Sequence, residues 1–416
     1  MEIYKYSIPL RVDRAAAVKY LNDKILSGIR KGYSHFVIGI EETQTYPNIC
    51  APIAGVLDYY SDEGNMFEIA YQNPFGYIMH TKLEQPQIVR NMIGRDELHY
   101  PFDKVWMFSC SEEINELVTS YILTLRQADI IKPGVISSLE WCLNETMDNV
   151  LQHSDVDKGY AMAQLHKTSQ QLSICVFDAG RGIYNSLKES RHKPSSPLDA
   201  ITLALQEKVT RDENIGQGNG LWGLSQIIKE AHGSIEISSG GAVYKNQNGY
   251  IHTIENGHFN LGKLHGTALI DFQLNYSNEI NVAKALNGYE PVDLWLEEFE
   301  AENGDVIIPI AEQANGTGTR KSAERLRTMV LNMTLADKKH VILDFSGVNL
   351  LSSSFADELV GKIISKYGFV FFINHFSIRN LSVFNASLLN RSVQQRMAQM
   401  YYDNTIKDAE DLCQNC

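Results

Sequence analysis

Glu145, Asn149 and His153 stand four residues apart in NETMDNVLQHS (144–154). On a helix this spacing puts an acid, an amide and an imidazole in one column. Asn144, Asp148 and Gln152 repeat the spacing beside it, so either a solvated helix face or a ligand-facing face explains all six. Two later segments bear on the choice. In FDAGRGI (177–183) an apolar run ends at Asp178, with Gly180 and Gly182 following. A carboxylate at a strand end can accept a hydrogen bond from the amino group of a base, and glycines let backbone approach a flat ring. A plain turn explains the same residues. In GQGNGLWGLSQII (216–228), Gly216, Gly218 and Gly220 alternate just before a helical pattern. Such a helix start exposes backbone N–H groups and adds the positive end of the dipole, a cradle for phosphate. The segment lacks the G-x-x-x-x-G-K-[ST] spacing and does not follow a strand in a βαβ unit, which sets aside Walker and dinucleotide-binding readings.

These residues must be held by regular elements. Helices are expected over 111–131, where Ile114, Leu117, Val118, Tyr121, Ile122 and Leu125 recur at helical spacing, and over about 135–153 after the Pro133-Gly134 break. In the second, Leu139, Leu143 and Met147 face the core, opposite the polar column. Strands are expected at 160–166, 172–178, 234–239 and 267–274, with helices near 198–207 and 221–231. Before this region, SHFVIGI (34–40), 49–60 and MFEIAY (66–71) read as strand, helix, strand. After it, 306–310 and 340–345 read as strands, 320–335 and 354–368 as helices, and FVFFIN (369–374) as a further strand. Strand, turn, helix, glycine and strand thus occur at 34–71 and again at 340–374. The chain is expected to be multidomain α/β, divided as 1–98, 99–276, a linker 277–290, a domain 291–400 and a polar tail 401–416.

Composition bounds the function. Of 416 residues, 44% are apolar and 21% charged, which fits folded globular protein. A formal charge of −13 argues against direct nucleic-acid binding. Cys50, Cys110, Cys142 and Cys175 lie in apolar runs and read as free thiols of a reducing cytoplasm. Cys413 and Cys416 form one CxxC, read as solvated rather than as half of a zinc site. The N-terminus carries no secretory pattern, and the longest dense apolar run, 367–373, is too short to span a bilayer, so a cytoplasmic protein without membrane contact is expected.

In order, E-x3-N-x3-H, D-x-G-x-G, G-x-G-x-G-L and Gly266-Thr267 entering a strand resemble the GHKL ATPase superfamily over about residues 100–276, and within it the anti-sigma-factor serine kinases most. The resemblance implies an α/β sandwich that binds ATP with Mg²⁺. It makes Asn149 the Mg²⁺ ligand and Glu145 the general base. Asp178 would read the adenine amino group, with Gly180, Gly182 and Thr267 around it. Gly216, Gly218, Gly220 and Leu221 would hold the phosphates beneath a lid at 184–215, with Arg211 near the γ-phosphate. It also suggests a dimer and leaves His153 without assigned chemistry.

VILDFSGVNLLSSSFADELVGKII (341–364) resembles the STAS-like domains related to anti-anti-sigma factors, whose loop serine is the kinase substrate. The implied acceptors are Ser353 and Ser354, although the family's Asp-Ser-Ser-Gly stretch is replaced by Ser352-Ser353-Ser354-Phe355. The bland reading has Ser353 or Ser354 capping the helix. Residues 1–98 read as a degenerate second STAS-like copy. The expected function is a regulatory protein that moves the ATP γ-phosphate to Ser or Thr in its own STAS-like domain or in a regulatory partner. Its rivals are a nucleotide-gated binding switch without transfer and a slow ATPase.

Overall fold

The computed structural model describes residues 3–8, 14–40, 46–71, 87–88, 101–207, 209, 220–257, 261, 264, 266–289, 291, 293–314 and 316–414. It is mixed α/β, and the chain divides into two compact units. The first holds 1–122 and 137–291, the second 123–136 and 292–416.

The first unit opens with β1 (Ile3–Ile8), α1 (Arg14–Arg30), β2 (His35–Ile40), α2 (Pro47–Asp62) and β3 (Met66–Tyr71), which form a parallel sheet in the order β1-β2-β3. An eight-stranded sheet follows. Its strands are β4 (Gln87–Ile88), β5 (Val105–Phe108), β6 (Gly159–His166), β7 (Gln171–Asp178), β8 (Ser234–Ser239), β9 (Ala242–Gln247), β10 (Tyr250–Ile254) and β11 (Ala268–Asn275). They lie in the order β10-β9-β8-β11-β7-β6-β5-β4, antiparallel except at β4–β5. The helices between them are α3 (Ser111–Ala128), α4 (Val135–His153), α5 (Gly182–Lys188), α6 (Pro197–Ala204), α7 (Gly220–Glu230) and α8 (Val282–Ala285).

Successive strand residues point to opposite faces. Cys175, Phe177 and Leu269 therefore join the core beneath α2, while Val176, Asp178, Ala268 and Ile270 face a cavity on the other side. The middle of the sheet is covered on both faces, and β7 is buried from its second residue to its last. α2 lies flat on the sheet because of Gly55, where a β-carbon would come within 2.5 Å of the Phe177 ring. Leu139, Leu143 and Met147 of α4 are fully buried, as their spacing implied.

The second unit repeats the β-α-β-α-β order of the N-terminal sheet. After α9 (Leu294–Glu297) come β12 (Val306–Pro309), α10 (Ile310–Gln313), α11 (Arg320–Leu335) and β13 (Val341–Asp344). Then follow α12 (Ser353–Ala356), a π-helical turn (Asp357–Gly361), α13 (Lys362–Tyr367), α14 (Phe369–His375), β14 (Phe376–Arg379) and α15 (Val383–Gln414). The strands pair in parallel in the order β12-β13-β14. The echo at 340–374 is thus present with one correction: 369–374 is helical, and the strand is the next four residues. Gly368 at φ 91° ends α13 and lets a new helix begin. Within α14, Phe371 and His375 stack at four-residue spacing with ring centroids 4.3 Å apart, and Tyr367 at the end of α13 stacks on Phe371 at 4.9 Å. The stretch 277–290 contains α8, capped by Asn281, with Leu286 buried beyond it. The polar stretch after 400 continues as helix to Gln414.

The corner between α3 and α4 belongs to the second unit and is fastened there by polar groups. Arg126 is fully buried; it pairs with Asp337 at 2.5 Å and with Asp293. Asn332 donates to the carbonyls of Arg126 and Asp129, each at 2.8 Å, and accepts from Ile131 N–H at 3.0 Å. Among the described residues, no helix is long and apolar enough to cross a membrane.

Removing one partner from a buried ion cluster strands the others in a low-dielectric interior. Arg126→Ala is therefore expected to destabilise the second unit by about 3–5 kcal/mol. The check is hydrogen exchange in α11, which should lose protection while the eight-stranded sheet keeps its own.

Candidate functional site

A cavity of about 500 Å³ lies between α4 and the β7–β11 face of the sheet. From Trp141 to His153 the α4 side follows the helix for about 18 Å at 1.5 Å per residue. Glu145, Asn149, Asp178, Gly182, Gly220 and Leu221 all line it. The column that opened the sequence reading therefore faces the cavity, and Asp148 and Gln152 from the neighbouring column reach it too. Gly216, Gly218 and Arg211 lie outside the described residues, as does most of the expected lid beyond 207.

Asp178 ends β7 and sits opposite Ala268 of β11. Its Oδ1 accepts the Gly180 N–H at 2.9 Å. Burial pushes its carboxyl up to about 7, against the pull of backbone N–H groups at Gly180 and Ala268. Thr267, next in line, is 1% exposed and is not among the cavity's lining residues, and among the described residues its hydroxyl has no hydrogen-bond partner.

The glycines around Asp178 admit neighbouring backbone. A β-carbon on Gly180 would lie 2.2 Å from the Ser154 carbonyl oxygen, and one on Gly182, at φ 71°, would lie 2.0 Å from the Gly266 carbonyl oxygen. One on Gly266 would lie 2.3 Å from the Arg181 carbonyl. Arg181 completes the junction: its N–H reaches Ser154 O at 2.8 Å and its Nε reaches His153 O at 2.9 Å. The loop after β7, the entry to β11 and the end of α4 are locked together. Of these glycines only Gly182 also lines the cavity.

Glu145 and Asn149 meet Gly220 at the start of α7. A β-carbon there would lie 2.7 Å from Glu145 Oε2 and 3.3 Å from Asn149 Nδ2. Burial, and then the nearby Asp148 charge, raise the Glu145 pKa; burial raises that of Asp148. A carboxyl so placed is a stronger base than one in water. Burial, and then Arg181, lower the His153 pKa, and its buried Nδ1 has no hydrogen-bond partner among the described residues.

Several lining residues went unread in the sequence. Trp141 stands one turn before Glu145 in the same column, so extending the four-residue step backwards would have found it. Gly223 lets α7 approach that indole: a β-carbon would sit 2.2 Å from Trp141 Cη2 and 2.9 Å from Leu286 Cδ2. Trp222, Leu286 and Tyr289 also line the cavity. The last two come from the stretch read as linker, where no periodicity marks them.

In the second unit, Ser352 caps α12, accepting Phe355 N–H at 3.0 Å. This corrects the expectation that Ser353 or Ser354 is the cap. Ser353 is exposed and Ser354 half-buried. Among the described residues, no group of three His, Cys, Asp or Glu could hold a metal. Cys50, Cys142 and Cys175 are buried free thiols and Cys110 is a half-buried one. Cys416 and the side chain of Cys413 lie outside the described residues.

A family model described as a STAS-like domain of unknown function (DUF4325) matches residues 322–383, from α11 to the first residue of α15. The second unit thus contains a STAS-like domain. No curated protein matches the chain.

Two outcomes follow from this geometry. Because the folded Asp178 carboxyl titrates near 7, above its unfolded value, the folded state holds a proton that the unfolded state has released. Stability then falls as pH rises from about 4 through 7. Thermal midpoints of Asp178→Asn at pH 5 and pH 8 should differ less than those of the native chain. Gly182→Ala, set against a backbone carbonyl, should abolish the folded first unit. Gly220→Ala, set against the movable end of Glu145, should leave it folded by circular dichroism.

Proposed function

We propose that the first unit binds ATP with Mg²⁺ as a GHKL-type domain and transfers its γ-phosphate to a serine or threonine hydroxyl of a STAS-like domain. One observation carries this reading. Asp178 sits at one end of a single cavity, and Glu145, Asn149 and the Gly220 helix start share the part nearer Trp141. Three segments far apart in sequence, those of Glu145 and Asn149, of Asp178 and of Gly220, line one cavity, and the GHKL resemblance draws on all three.

Asp178 would accept a hydrogen bond from the exocyclic amino group of adenine. The N–H groups at the start of α7, with Leu221, would hold phosphate oxygens. Asn149 would be the protein ligand of Mg²⁺, and the cation would offset phosphate charge. A Mg²⁺ held by one side chain takes its other ligands from phosphate oxygens and water. Glu145 would take the proton of the attacking hydroxyl. The new O–P bond forms as the bond from the γ-phosphorus to its bridging oxygen breaks, and ADP leaves.

A nucleotide-gated switch without transfer is the second reading. The observation that favours it is α4, whose first two residues belong to the second unit and which lines the cavity of the first with one face from Trp141 to His153. Ligand contacts on such a helix can bias both units.

Glu145→Ala decides between them. Calorimetry should give ATP affinity within about threefold of the native chain, while phosphate incorporation by intact mass falls at least a hundredfold, as loss of a general base implies. Equal incorporation by the variant overturns the assignment. ATP binding without incorporation by the native chain, tested with its own STAS-like domain as acceptor, supports the switch.

A further inference from the structure

A second cavity, of about 250 Å³, opens on the other face of the eight-stranded sheet, where α2 begins. On that face the side chains of β7 run Phe177, Cys175, Ser173, Gln171, and those of β11 run Leu269, Asp271, Gln273. Beneath α2 these rows supply Phe177, Cys175 and Leu269 to the apolar core. At the first turn of the helix they become polar. Strand register gathers the change into one place: Gln273 stands opposite Ser173, and Gln171 opposite His166 of β6. Tyr46, the residue before α2, adds an aromatic ring to the lining.

The floor is the informative part. Ser173 and Asp271 are each 7% exposed and Asn48 is 8% exposed, in rows that are apolar one rung earlier. Buried polar groups are costly unless hydrogen-bonded, so such a floor calls for polar contents. Asn48 Nδ2 donates to Asp271 Oδ2 at 3.1 Å, which sets an amide and a carboxylate side by side. Gln171 and the half-buried Gln273 and His166 stand nearer solvent. At roughly 30 Å³ each, about eight waters would fill the space, and so would one sugar ring.

The charge selects among ligands. Asp271 is the only carboxylate in the lining, and among the described residues no Lys or Arg lines it, so an anion would meet a like charge with no cation to receive it. Carboxamides, hydroxyls and imidazole both donate and accept, as hydroxyl groups on a ring require. An aromatic wall with a few fixed polar groups is the usual lining of a small-molecule site.

We infer that this cavity binds the ring of an uncharged polyol of monosaccharide size, its hydroxyls bonded by Asp271, Asn48, Ser173, Gln171 and Gln273 and its C–H face against Tyr46. The inference does not rest on the nucleotide reading, because the side chains that enter the two cavities leave β7 and β11 on opposite faces.

Saturation-transfer NMR on the full chain tests it, with D-glucose, D-ribose and myo-inositol as probes and glucose 6-phosphate as the charged comparison. At least one uncharged probe should receive saturation and bind more tightly than the phosphate ester. Gln273→Leu at the rim and Ser173→Ala at the floor should each weaken that probe about tenfold, as loss of a hydrogen bond implies. Both variants should keep the native circular dichroism and ATP affinity. Saturation of none of the three probes overturns the site and leaves a water-filled cavity. Binding that neither variant weakens places the ring elsewhere and overturns it too. Glucose 6-phosphate binding as tightly as glucose overturns the uncharged class.

Discussion

Three backbones meet at the floor of the cavity with no room for a β-carbon between them. Gly180 lies against the last turn of α4, and Gly182 and Gly266 lie against each other's loops. Everything else in the site is referred to this junction. It places Asp178 at the end of β7, sets where β11 begins, and aligns the carboxyl end of α4 so that its polar column faces inward. Backbone contacts at this distance leave little play, because interiors are close-packed and transmit displacement.

The opposite face of the sheet is equally committed. α2 seals it through Gly55, and the N-terminal helices reach around to the junction itself. Asn22, fully buried, donates to Leu261 O at 2.8 Å and accepts from Tyr60 Oη at 2.9 Å. Leu261 and Leu264 join the same core, five and two residues before Gly266. The N-terminal α/β segment therefore packs against Leu261 and Leu264, ahead of the entry to β11. That gives residues 14–62 a physical connection to the junction beside the cavity which their sequence, read as part of a degenerate STAS-like copy, did not disclose.

Where local pattern and tertiary packing agree, the sequence was legible. The periodicity of 111–131 and 135–153 yielded α3 and α4, and alternation yielded β6, β7, β8 and β11. Legibility failed where a residue's partner is remote in the chain. FVFFIN has strand composition, yet the stacking of Phe371 on His375 within α14 and the pairing of Phe376 with Val341 decide otherwise. Strands β9 and β10 went unread because their alternation is weak, and α8 with Leu286 because four residues make no period. Ser352 rather than its neighbours caps α12 because the chain leaves extended geometry there, a matter of backbone angle that three consecutive serines cannot signal.

By itself the sequence determined the types of chemistry the chain carries: an acid and an amide one helical turn apart, a carboxylate at a strand end, and glycines before a helix. Those follow from covalent identity and helical or strand period, which are local. Only the tertiary structure decided that Glu145, Asn149, Asp178 and Gly220 share one cavity, that an apolar wall of Trp141, Trp222 and Leu286 continues it, and that Gly180, Gly182 and Gly266 serve backbone against backbone. Such convergence depends on which surfaces are buried together, a property of the whole folded chain.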